Sequence, residues 1–451
     1  MKKTNLTKTA IVVGFGNVGQ LVSKYLMKKS FQVYVYDDNT KAFTSKENRK
    51  ITSHQLFHKI NPQKPILPVI KPEFAIVSPG ITPSHSFLKT LARHHIPMLD
   101  EIEFTAQYIS QPIIAITGTN GKSTATVLLA KFLSTAGYRV FYGGNLAPGK
   151  PFISGLFQKP KDYYVIEISS FQLQRCYKFH PYIAIITNIT ADHLDRHQSL
   201  ADYQKTKLRI AQNQTPNDFC ILNYDDKVSM SIKDQIPSQH IYFSVKHQTN
   251  GAYLKNEQVI YYDNEKIIEL SDIKLFGKHY LDSILSSISA AKLLSVDNAS
   301  ITKVLQQFKG LPHRLEVVRH LRGVTYINNS MCTNPTAASA TLRSFSNPVI
   351  LITGGKEKNL PLDEYLKTII QKAKYVVLFG ENTNKLATQL NRLHYHNYQT
   401  ALNLKDAVKI AQKQAQKNDT ILFSPGFASF DAYQNFQERG NAFIKIVSQL
   451  K

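Results

Sequence analysis

The sequence contains no tryptophan, only three cysteines, and no apolar run long enough to span a membrane. The cysteines, Cys176, Cys220 and Cys332, lie far apart, which argues against a disulfide framework and favours a reducing, cytoplasmic setting. The apolar stretch after the basic start ends at Val13, which is too short for a signal peptide and is typical of a first strand. We therefore expect no stable membrane insertion.

Acidic residues are also few, because 32 Asp and Glu face 55 Lys and Arg and give a net charge of +23. Such a charge can attract nucleic acid. The lysines are scattered, however, and form no run of five or six. We therefore expect no nucleic-acid partner and interpret the charge as a field that attracts anionic nucleotides.

At 451 residues the chain is too long for one core, and two or three domains are expected.

The first part of the chain alternates between strand and helix patterns. Apolar runs at Ala10–Val13, Gln32–Tyr36 and Phe74–Val77 predict strands, and Val18–Met27 predicts a helix after the first strand. This alternation is typical of βαβ units around a parallel sheet. The sequence therefore predicts an α/β fold.

A glycine-rich turn follows the first predicted strand. Gly14, Gly16 and Gly19 form a G-x-G-x-x-G pattern, and Asp37 ends the second strand, where an acid can meet a ribose hydroxyl. Taken alone, this pattern favours an NAD-dependent oxidoreductase.

A second glycine-rich turn has the composition of a phosphate-binding loop. Residues 117–123 read Thr-Gly-Thr-Asn-Gly-Lys-Ser, between an apolar run at Pro112–Ile116 and a helical pattern at Thr124–Leu133. The glycines let backbone N–H groups turn toward phosphate oxygens. Lys122 can reach the outer phosphates, and Ser123 can offer its oxygen to magnesium. The segment predicts a nucleoside triphosphate site.

Candidate metal ligands follow two later strands. Glu167 lies in the predicted strand Tyr163–Ile168 beside the phosphate loop and is well placed to hold magnesium. His193 follows the predicted strand Ile183–Thr187 within an Asp- and His-rich segment, residues 188–197. Zinc is disfavoured there because no cysteine lies nearby.

Two lysines are weaker candidates by pattern alone. Lys207 lies in a helical pattern and resembles an ordinary helix lysine. Lys358 follows a strand-to-glycine turn that suits anion binding.

In the last part of the chain the strand and helix patterns alternate again, with predicted strands at Val324–Ile327, Val349–Thr353, Tyr375–Phe379 and Thr420–Phe423.

Together these motifs resemble those of the Mur ligases, in family order and over nearly the whole chain. The combination is highly specific, although each motif alone is not. Within the family the details are most similar to the members that add D-glutamate to UDP-N-acetylmuramoyl-L-alanine. The matching segments are Ser78-Pro79-Gly80, Gly118-Thr119-Asn120-Gly121-Lys122-Ser123, Gly143-Gly144-Asn145, Glu167-Ile168-Ser169-Ser170-Phe171-Gln172, Asp192-His193-Leu194-Asp195, Leu311-Pro312-His313-Arg314, and Phe423-Ser424-Pro425 through Arg439-Gly440.

The resemblance implies an α/β fold of three domains. A Rossmann-like domain over residues 1–110 would bind the UDP-sugar, so that its glycine turn holds this ligand and not NAD. A central P-loop ATPase-type domain with a parallel sheet over residues 111–310 would bind ATP. A C-terminal Rossmann-like domain over residues 311–451 would bind the amino acid. We expect a cytoplasmic monomer.

The resemblance also implies roles for individual residues. ATP would contact Gly118, Thr119, Asn120, Gly121, Lys122, Ser123, Thr124, Arg314 and Asn329. Two magnesium ions would be held by Ser123, Glu167, His193 and Lys207, with Lys207 carbamylated, and the catalytic group would be Lys122, His193 and Lys207. The UDP-sugar would contact Gly16, Asn17, Val18, Asp37, Gly80, Asn145, Ser169 and Gln172. The glutamate pocket would contain Thr333, Lys358, Ser429 and Phe436.

The implied reaction transfers the γ-phosphoryl group of ATP to a carboxylate, and an amine then displaces phosphate from the acyl phosphate. The sequence departs from the family pattern in two motifs, and Lys356 stands where the family often has an acid. His-Asn-x-x-Asn becomes His279-Tyr280-Leu281-Asp282-Ser283, and Asp-Ser-Lys-x-Thr-Asn becomes Asn329-Ser330-Met331-Cys332-Thr333-Asn334. We interpret the chain as a working ligase with altered nucleotide contacts. The alternatives are a divergent ligase for another amino acid or L-glutamate, an NAD-dependent oxidoreductase, and a non-catalytic nucleotide-binding paralogue.

Overall fold

The computed structural model of the protein describes residues 8–45, 48–146, 149–190, 199–275, 280–357 and 360–451. The chain divides into two compact units, Met1–Phe308 and Lys309–Lys451. Within the described ranges, no helix is long and apolar enough to cross a membrane.

The first unit begins with a parallel sheet in the order β3-β2-β1-β4-β5. Buried aliphatic and aromatic side chains cover both of its faces, which is why its central strands read as continuous apolar runs. The strands are β1 (Thr9–Val13), β2 (Gln32–Tyr36), β3 (Phe57–Lys59), β4 (Phe74–Val77) and β5 (Met98–Leu99). The helices are α1 (Asn17–Lys28), α2 (Arg49–Thr52), α3 (Ser86–Arg93) and α4 (Glu101–Ala106).

A second parallel sheet in the same unit has the order β11-β10-β9-β6-β8-β7. Its strands are β6 (Ile113–Thr117), β7 (Val140–Gly144), β8 (Tyr163–Glu167), β9 (Ile183–Ile186), β10 (Phe219–Asn223) and β11 (Gln239–Phe243). An antiparallel sheet follows, made of β12 (Ala252–Lys255), β13 (Val259–Tyr262) and β14 (Glu265–Glu269). The helices are α5 (Lys122–Thr135), α6 (Ser170–Leu173), α7 (Leu200–Leu208), α8 (Lys227–Ser231), α9 (Leu281–Leu293) and α10 (Asn298–Gln307).

Two buried acids of α4, Glu101 and Glu103, hydrogen-bond to backbone N–H groups between strands of the second parallel sheet. The Glu103 carboxylate accepts the backbone N–H groups of Tyr177 and Lys178 at 3.1 and 2.9 Å. The Glu101 carboxylate accepts the N–H of Ile153, and burial raises its pKa to about 7. The bond to Ile153, which is fully buried, satisfies a backbone donor that would otherwise be unpaired in the interior.

The second unit is built on a sheet in the order β15-β16-β20-β17-β18-β19, parallel except for the β15–β16 hairpin. The strands are β15 (Glu316–Leu321), β16 (Val324–Asn328), β17 (Val349–Thr353), β18 (Ala373–Leu378), β19 (Tyr398–Thr400) and β20 (Thr420–Phe423). The helices are α11 (Pro335–Arg343), α12 (Asp363–Lys372), α13 (Thr383–Arg392), α14 (Leu404–Gln414) and α15 (Phe436–Ser448).

The predicted α/β class with parallel sheets is confirmed. Strands β2, β4, β17 and β20 begin and end at the predicted residues, and others differ by one or two residues at an end. The domain boundaries at residues 110 and 310 stay predictions.

Candidate active site

The phosphate loop joins β6 to α5 and has two glycines in the left-handed region. Gly118 has φ of 148° and Gly121 has φ of 84°. A Cβ atom at Gly118 would lie 1.9 Å from Thr187 Oγ1, and one at Gly121 would lie 2.6 Å from Ser283 Oγ. Only glycine fits at both positions, and the turn delivers the chain to the N-terminus of α5, where free N–H groups favour phosphate.

Polar residues after β9 hold this loop from the neighbouring strand. Thr187 Oγ1 donates to the carbonyl of Asn120 at 2.6 Å. The side-chain oxygen of Asn188 accepts the N–H of Asn120 at 2.9 Å, and its backbone carbonyl accepts the N–H of Thr119 at 2.9 Å. This role was not predicted from the sequence, although polar residues at the carboxyl end of a strand beside β6 are a signal for it.

Two lysines donate to one carbonyl of the loop. Lys122 Nζ donates to the Gly118 carbonyl at 3.0 Å, and Lys207 Nζ donates to the same oxygen at 2.8 Å. Lys207 is 1% exposed and lies 4.5 Å from the centre of the Tyr203 ring. Tyr203 and Lys207 are four residues apart on α7 and therefore share its buried face. The structure thus brings Lys207 from its helix to the phosphate loop.

Ser123 and Glu167 also meet beside the loop. Ser123 Oγ donates to one carboxylate oxygen of Glu167 at 2.6 Å, and Asn145 Nδ2 donates to the other at 2.9 Å. Both Ser123 and Glu167 are 2% exposed. A hydroxyl and a carboxylate are oxygen donors that suit magnesium, which keeps several waters and takes few protein ligands. Within the described ranges, no group of three or more His, Cys, Asp or Glu residues is placed to hold a metal.

Ser169 and Gln172 cap the short helix after β8. The Gln172 side-chain oxygen accepts from the N–H and the hydroxyl of Ser169, both at 3.0 Å. Gln172 is 6% exposed and its side chain already takes part in this capping box. Its contact with the sugar stays a prediction.

The glycine turn after β1 lies at the carboxyl edge of the first sheet. Gly14 has φ of 98°, and a Cβ atom at Gly19 would lie 1.9 Å from the Gly14 carbonyl. Gly16 precedes α1, and no described atom lies within 4 Å of a Cβ added there, so the turn is open at this point. The Asp37 carboxylate accepts the N–H of Phe15 at 2.6 Å and fixes the end of β2 beside the turn.

The other predicted sugar contacts lie at the same edge. Asn17 is the first residue of α1, and Val18 is half-buried in its first turn. Gly80 follows β4, which pairs with β1. In this strand order the crevice between β1 and β4 is the switch point where α/β sheets bind ligands.

One acid near the phosphate loop was not predicted as a site residue. Burial raises the pKa of the Asp282 carboxyl to about 6, and the nearby carboxylate of Asp225 adds to this shift. Hydrogen bonds with the side chains of Asn188 and Asn223 act in the opposite direction. Asp282 therefore adds a titratable group beside the strand ends that hold the loop.

Tyr280 and Ser283, which stand where the family pattern has asparagine, lie at the start of α9 and are buried. Ser283 is fully buried and its hydroxyl donates to the Gly121 carbonyl at 3.0 Å, while Tyr280 is 8% exposed. Ser283 thus supports the loop backbone.

In the second unit, Asn329 follows β16 and is 5% exposed. Its side-chain nitrogen donates to Thr341 Oγ1 and Ser424 Oγ, both at 3.1 Å, and its oxygen accepts the N–H of Leu315. Arg314 and Thr333 are half-buried in the segments before β15 and before α11.

A fully buried arginine organises the second unit around the predicted glutamate pocket. Arg439 donates to the carbonyls of Phe427, Ala428 and Ser330, each at 3.0 Å. Burial lowers its pKa to about 10. The next residue after Ala428 is Ser429, which is 2% exposed. Arg439 belongs to a motif found in the sequence, but its structural role was not predicted.

Phe436 joins the same network. Ser330 Oγ donates to the Phe436 carbonyl at 2.8 Å and accepts from Arg439 Nε at 3.2 Å. Arg439 therefore holds the backbone next to Ser429 directly and the backbone at Phe436 through Ser330. His193 and Lys358 lie outside the described residues.

Comparison with known proteins gives the same family as the motifs. The Mur ligase middle domain matches residues 116–291, and the Mur ligase glutamate ligase domain matches residues 313–427. A UDP-N-acetylmuramoylalanine–D-glutamate ligase of Pelotomaculum thermopropionicum is 34% identical over all of both chains. An enzyme of the same name from Thermoanaerobacter pseudethanolicus is 35% identical over 98% of this chain and 99% of its own.

Solved structures share the fold. The MurC UDP-N-acetylmuramate–alanine ligase of Thermotoga maritima superposes with a TM-score of 0.58 at 18% identity, over 98% of this chain and 100% of that one. A MurF ligase of Thermotoga maritima in complex with ADP gives a TM-score of 0.55 at 14% identity, over 98% of this chain and 95% of that one. The resemblance predicted from the motifs is confirmed, and the chain belongs to the Mur ligase family.

Proposed function

We propose that this chain joins D-glutamate to UDP-N-acetylmuramoyl-L-alanine with ATP, forming ADP and phosphate, in the synthesis of peptidoglycan precursors. The observation that carries this proposal is the full-length match to relatives named for that reaction, at 34 and 35% identity. The phosphate loop supports it, because Lys122, Ser123, Glu167 and Lys207 meet around the same turn. The reaction would take place in the cytoplasm.

Phosphoryl transfer would take place at the loop of residues 118–121. Lys122 is held over the loop by the Gly118 and Thr119 carbonyls, from which it can move to the outer phosphates. Magnesium, when bound, supplies positive charge at the transferred phosphoryl oxygens. Ser123 and Glu167 would hold one ion, and Asn145 keeps the Glu167 carboxylate in position.

Lys207 would act as a carbamate at a second ion. Lys122 Nζ and Lys207 Nζ both donate to the Gly118 carbonyl oxygen. Two ammonium groups that share one acceptor repel each other. When Lys207 Nζ gives up its ammonium proton, the neutral amine can add to carbon dioxide and lose a second proton, which gives an anionic carbamate with oxygen ligands. This change removes the repulsion and provides the ligand type that magnesium prefers. His193 is proposed as the other ligand of this ion.

The ligation step needs an activated carboxylate, since oxide is a poor leaving group. Transfer of the γ-phosphoryl group gives an acyl phosphate on the substrate. The amine nitrogen then bonds to the carbonyl carbon, the C–O bond to phosphate breaks, and the amine loses a proton. Asn145, Ser169 and Gln172 would contact the sugar-peptide substrate at the carboxyl ends of β7 and β8.

The second unit would supply the amino acid. Thr333, Lys358 and Ser429 offer donors suited to carboxylate groups, and Phe436 would line the same pocket. The Arg439 network supports this assignment, because it fixes the backbone next to Ser429 and at Phe436. Arg314 would contact the γ-phosphate.

The test is an amino-acid screen with UDP-N-acetylmuramoyl-L-alanine, ATP and magnesium, in which ADP and the amide product are both measured. We expect D-glutamate to give product and phosphate release to require both substrates. A higher rate with L-glutamate or another amino acid would assign a different ligase. Phosphate release that does not depend on the acceptor, or hydride transfer with NAD, would contradict the ligase assignment.

A further inference from the structure

A proline-rich loop in the first unit exposes an unusual set of aliphatic side chains. This loop, residues 61–72, connects β3 at the edge of the first sheet to β4. Leu67 packs against the core beneath it, and Pro72 is buried, so the loop is anchored at its middle and its end. Three other side chains point away from the core: Ile66 is 68% exposed, Ile70 is 51% exposed and Val69 is fully exposed. Exposed aliphatic groups this close together mark an interaction surface.

The same region is strongly basic. Residues 48–72 contain Arg49, Lys50, Lys59, Lys64 and Lys71 and no Asp or Glu. All five side chains are exposed, and no ion pair involves them within the described ranges. The exposed aliphatic residues therefore belong to a stretch of chain whose charges are all positive, with Lys64 and Lys71 in the loop itself and Glu73 as the first acid after it.

We propose that the proline-rich loop docks the protein reversibly on an anionic lipid surface. Ile66, Val69 and Ile70 would enter the boundary between headgroups and acyl chains, and the five cations would contact the headgroups. This combination of aliphatic side chains and clustered Lys and Arg is what anionic membranes attract. The docking is separate from the ligase reaction.

The prolines favour lipid over a protein groove that recognises proline. Pro62 and Pro68 are half-buried against the domain and Pro72 is buried, so Pro65 is the one exposed proline of the loop, whereas three aliphatic side chains are exposed. Proline also lacks a backbone N–H. Four prolines in this loop reduce the number of donors that would lose water at the membrane boundary.

Sedimentation of the full chain with vesicles tests the proposal. One set of vesicles contains phosphatidylglycerol and phosphatidylcholine, and the other contains phosphatidylcholine alone. We expect binding to the anionic vesicles that disappears at high salt. The triple variant Ile66→Ser, Val69→Ser, Ile70→Ser and the triple variant Lys59→Gln, Lys64→Gln, Lys71→Gln should each reduce the bound fraction by about tenfold.

Matched controls come from the second unit. Leu402 is 94% exposed, and Leu402→Ser should leave vesicle binding unchanged. The substitutions Lys405→Gln, Lys409→Gln and Lys413→Gln remove the same charge from exposed positions of α14 and should also have little effect. Thermal unfolding and ligase rate in solution check that each variant is folded.

Three results would overturn the proposal. The first is no binding of the unmodified protein to anionic vesicles at low salt. The second is a loss of binding in the controls as large as in the loop variants. The third is self-association in analytical ultracentrifugation that depends on Ile66, Val69 and Ile70, since this would show that a second copy covers the loop.

Discussion

Lys122 and Lys207 donate to the same oxygen, the carbonyl of Gly118, at 3.0 and 2.8 Å. One lysine begins the helix after the phosphate loop, and the other lies 85 positions later in the sequence on α7. Their meeting at one carbonyl places two positive groups where the phosphate of ATP would bind. The two lysines should nevertheless respond differently to substitution, because only Lys207 is proposed to become an anion.

Lys122→Ala should reduce kcat by about a thousandfold, because a positioned cation stabilises the charge of the transferred phosphoryl group. UDP-sugar binding should remain, since Lys122 is not among the residues proposed to contact that substrate. The assay is ADP formation together with calorimetric binding of the UDP-sugar. The control is Lys131→Ala, an exposed lysine on the same helix, which should keep its activity. A near-normal rate in Lys122→Ala would show that Lys122 takes no part in phosphoryl transfer.

Lys207→Ala should be inactive and should regain part of its activity with added acetate. A small carboxylate can occupy the space of the carbamate and offer the same anionic oxygen. The measurement is the ligation rate against acetate concentration, with the exposed helix residue Lys205→Ala as the control. Full activity without acetate, or no rescue at any concentration, would argue against a carbamate.

The double variant Asn329→Asp, Met331→Lys should lower the KM for ATP and change kcat little. A lysine at position 331 would add a cationic contact to phosphate, and an aspartate at position 329 would restore the charge of the family pattern. The fold should tolerate aspartate, because the hydroxyls of Thr341 and Ser424 that now accept from Asn329 can rotate to donate. Loss of activity would mean that the second unit contributes to ATP binding in another way.

Asp282→Asn should change the pH dependence of stability. Because the folded-state pKa of Asp282 is raised from 3.8 to about 6, the folded state holds its proton more tightly than the unfolded state does. Stability therefore falls as the pH rises from about 4 to about 6, by up to about 3 kcal/mol. Urea unfolding should show that the variant gains about 2 kcal/mol over the unmodified protein between pH 4.5 and 7.5. The exposed Asp272→Asn is the control, and an equal effect there would reject the interpretation.

Arg439→Leu should destabilise the second unit by about 3 to 5 kcal/mol, since three buried carbonyls lose their charged donor. The exposed Arg392→Leu should change stability by less than about 0.5 kcal/mol. Denaturant unfolding measures both. Without denaturant, and provided that Arg439→Leu is folded, its KM for the amino acid should rise more than its KM for ATP.

Much of the fold could be predicted from the sequence because its strands are buried on both faces and appear as short apolar runs. The ends of β2, β4, β17 and β20 were predicted to the residue for this reason. The phosphate loop was equally visible, since a Gly-Lys-Ser sequence between a strand and a helix is typical of a loop that holds the phosphates of a nucleoside triphosphate.

The sequence alone therefore determined the α/β class, the phosphate loop and, through the order of its motifs, the family. Only the tertiary structure decided which distant side chains meet. The order β9-β6-β8 places the strand ends carrying Thr187 and Glu167 on either side of the phosphate loop, and the packing of α7 turns Lys207 inward. The position of Glu167 at a strand end predicted that it lies beside the loop, but not that it pairs with Ser123 and Asn145. The Lys207 contact has no local pattern at all, because a helix lysine can face solvent or core. The environment of Asp282 is of the same kind, since burial among residues from other elements raised its pKa.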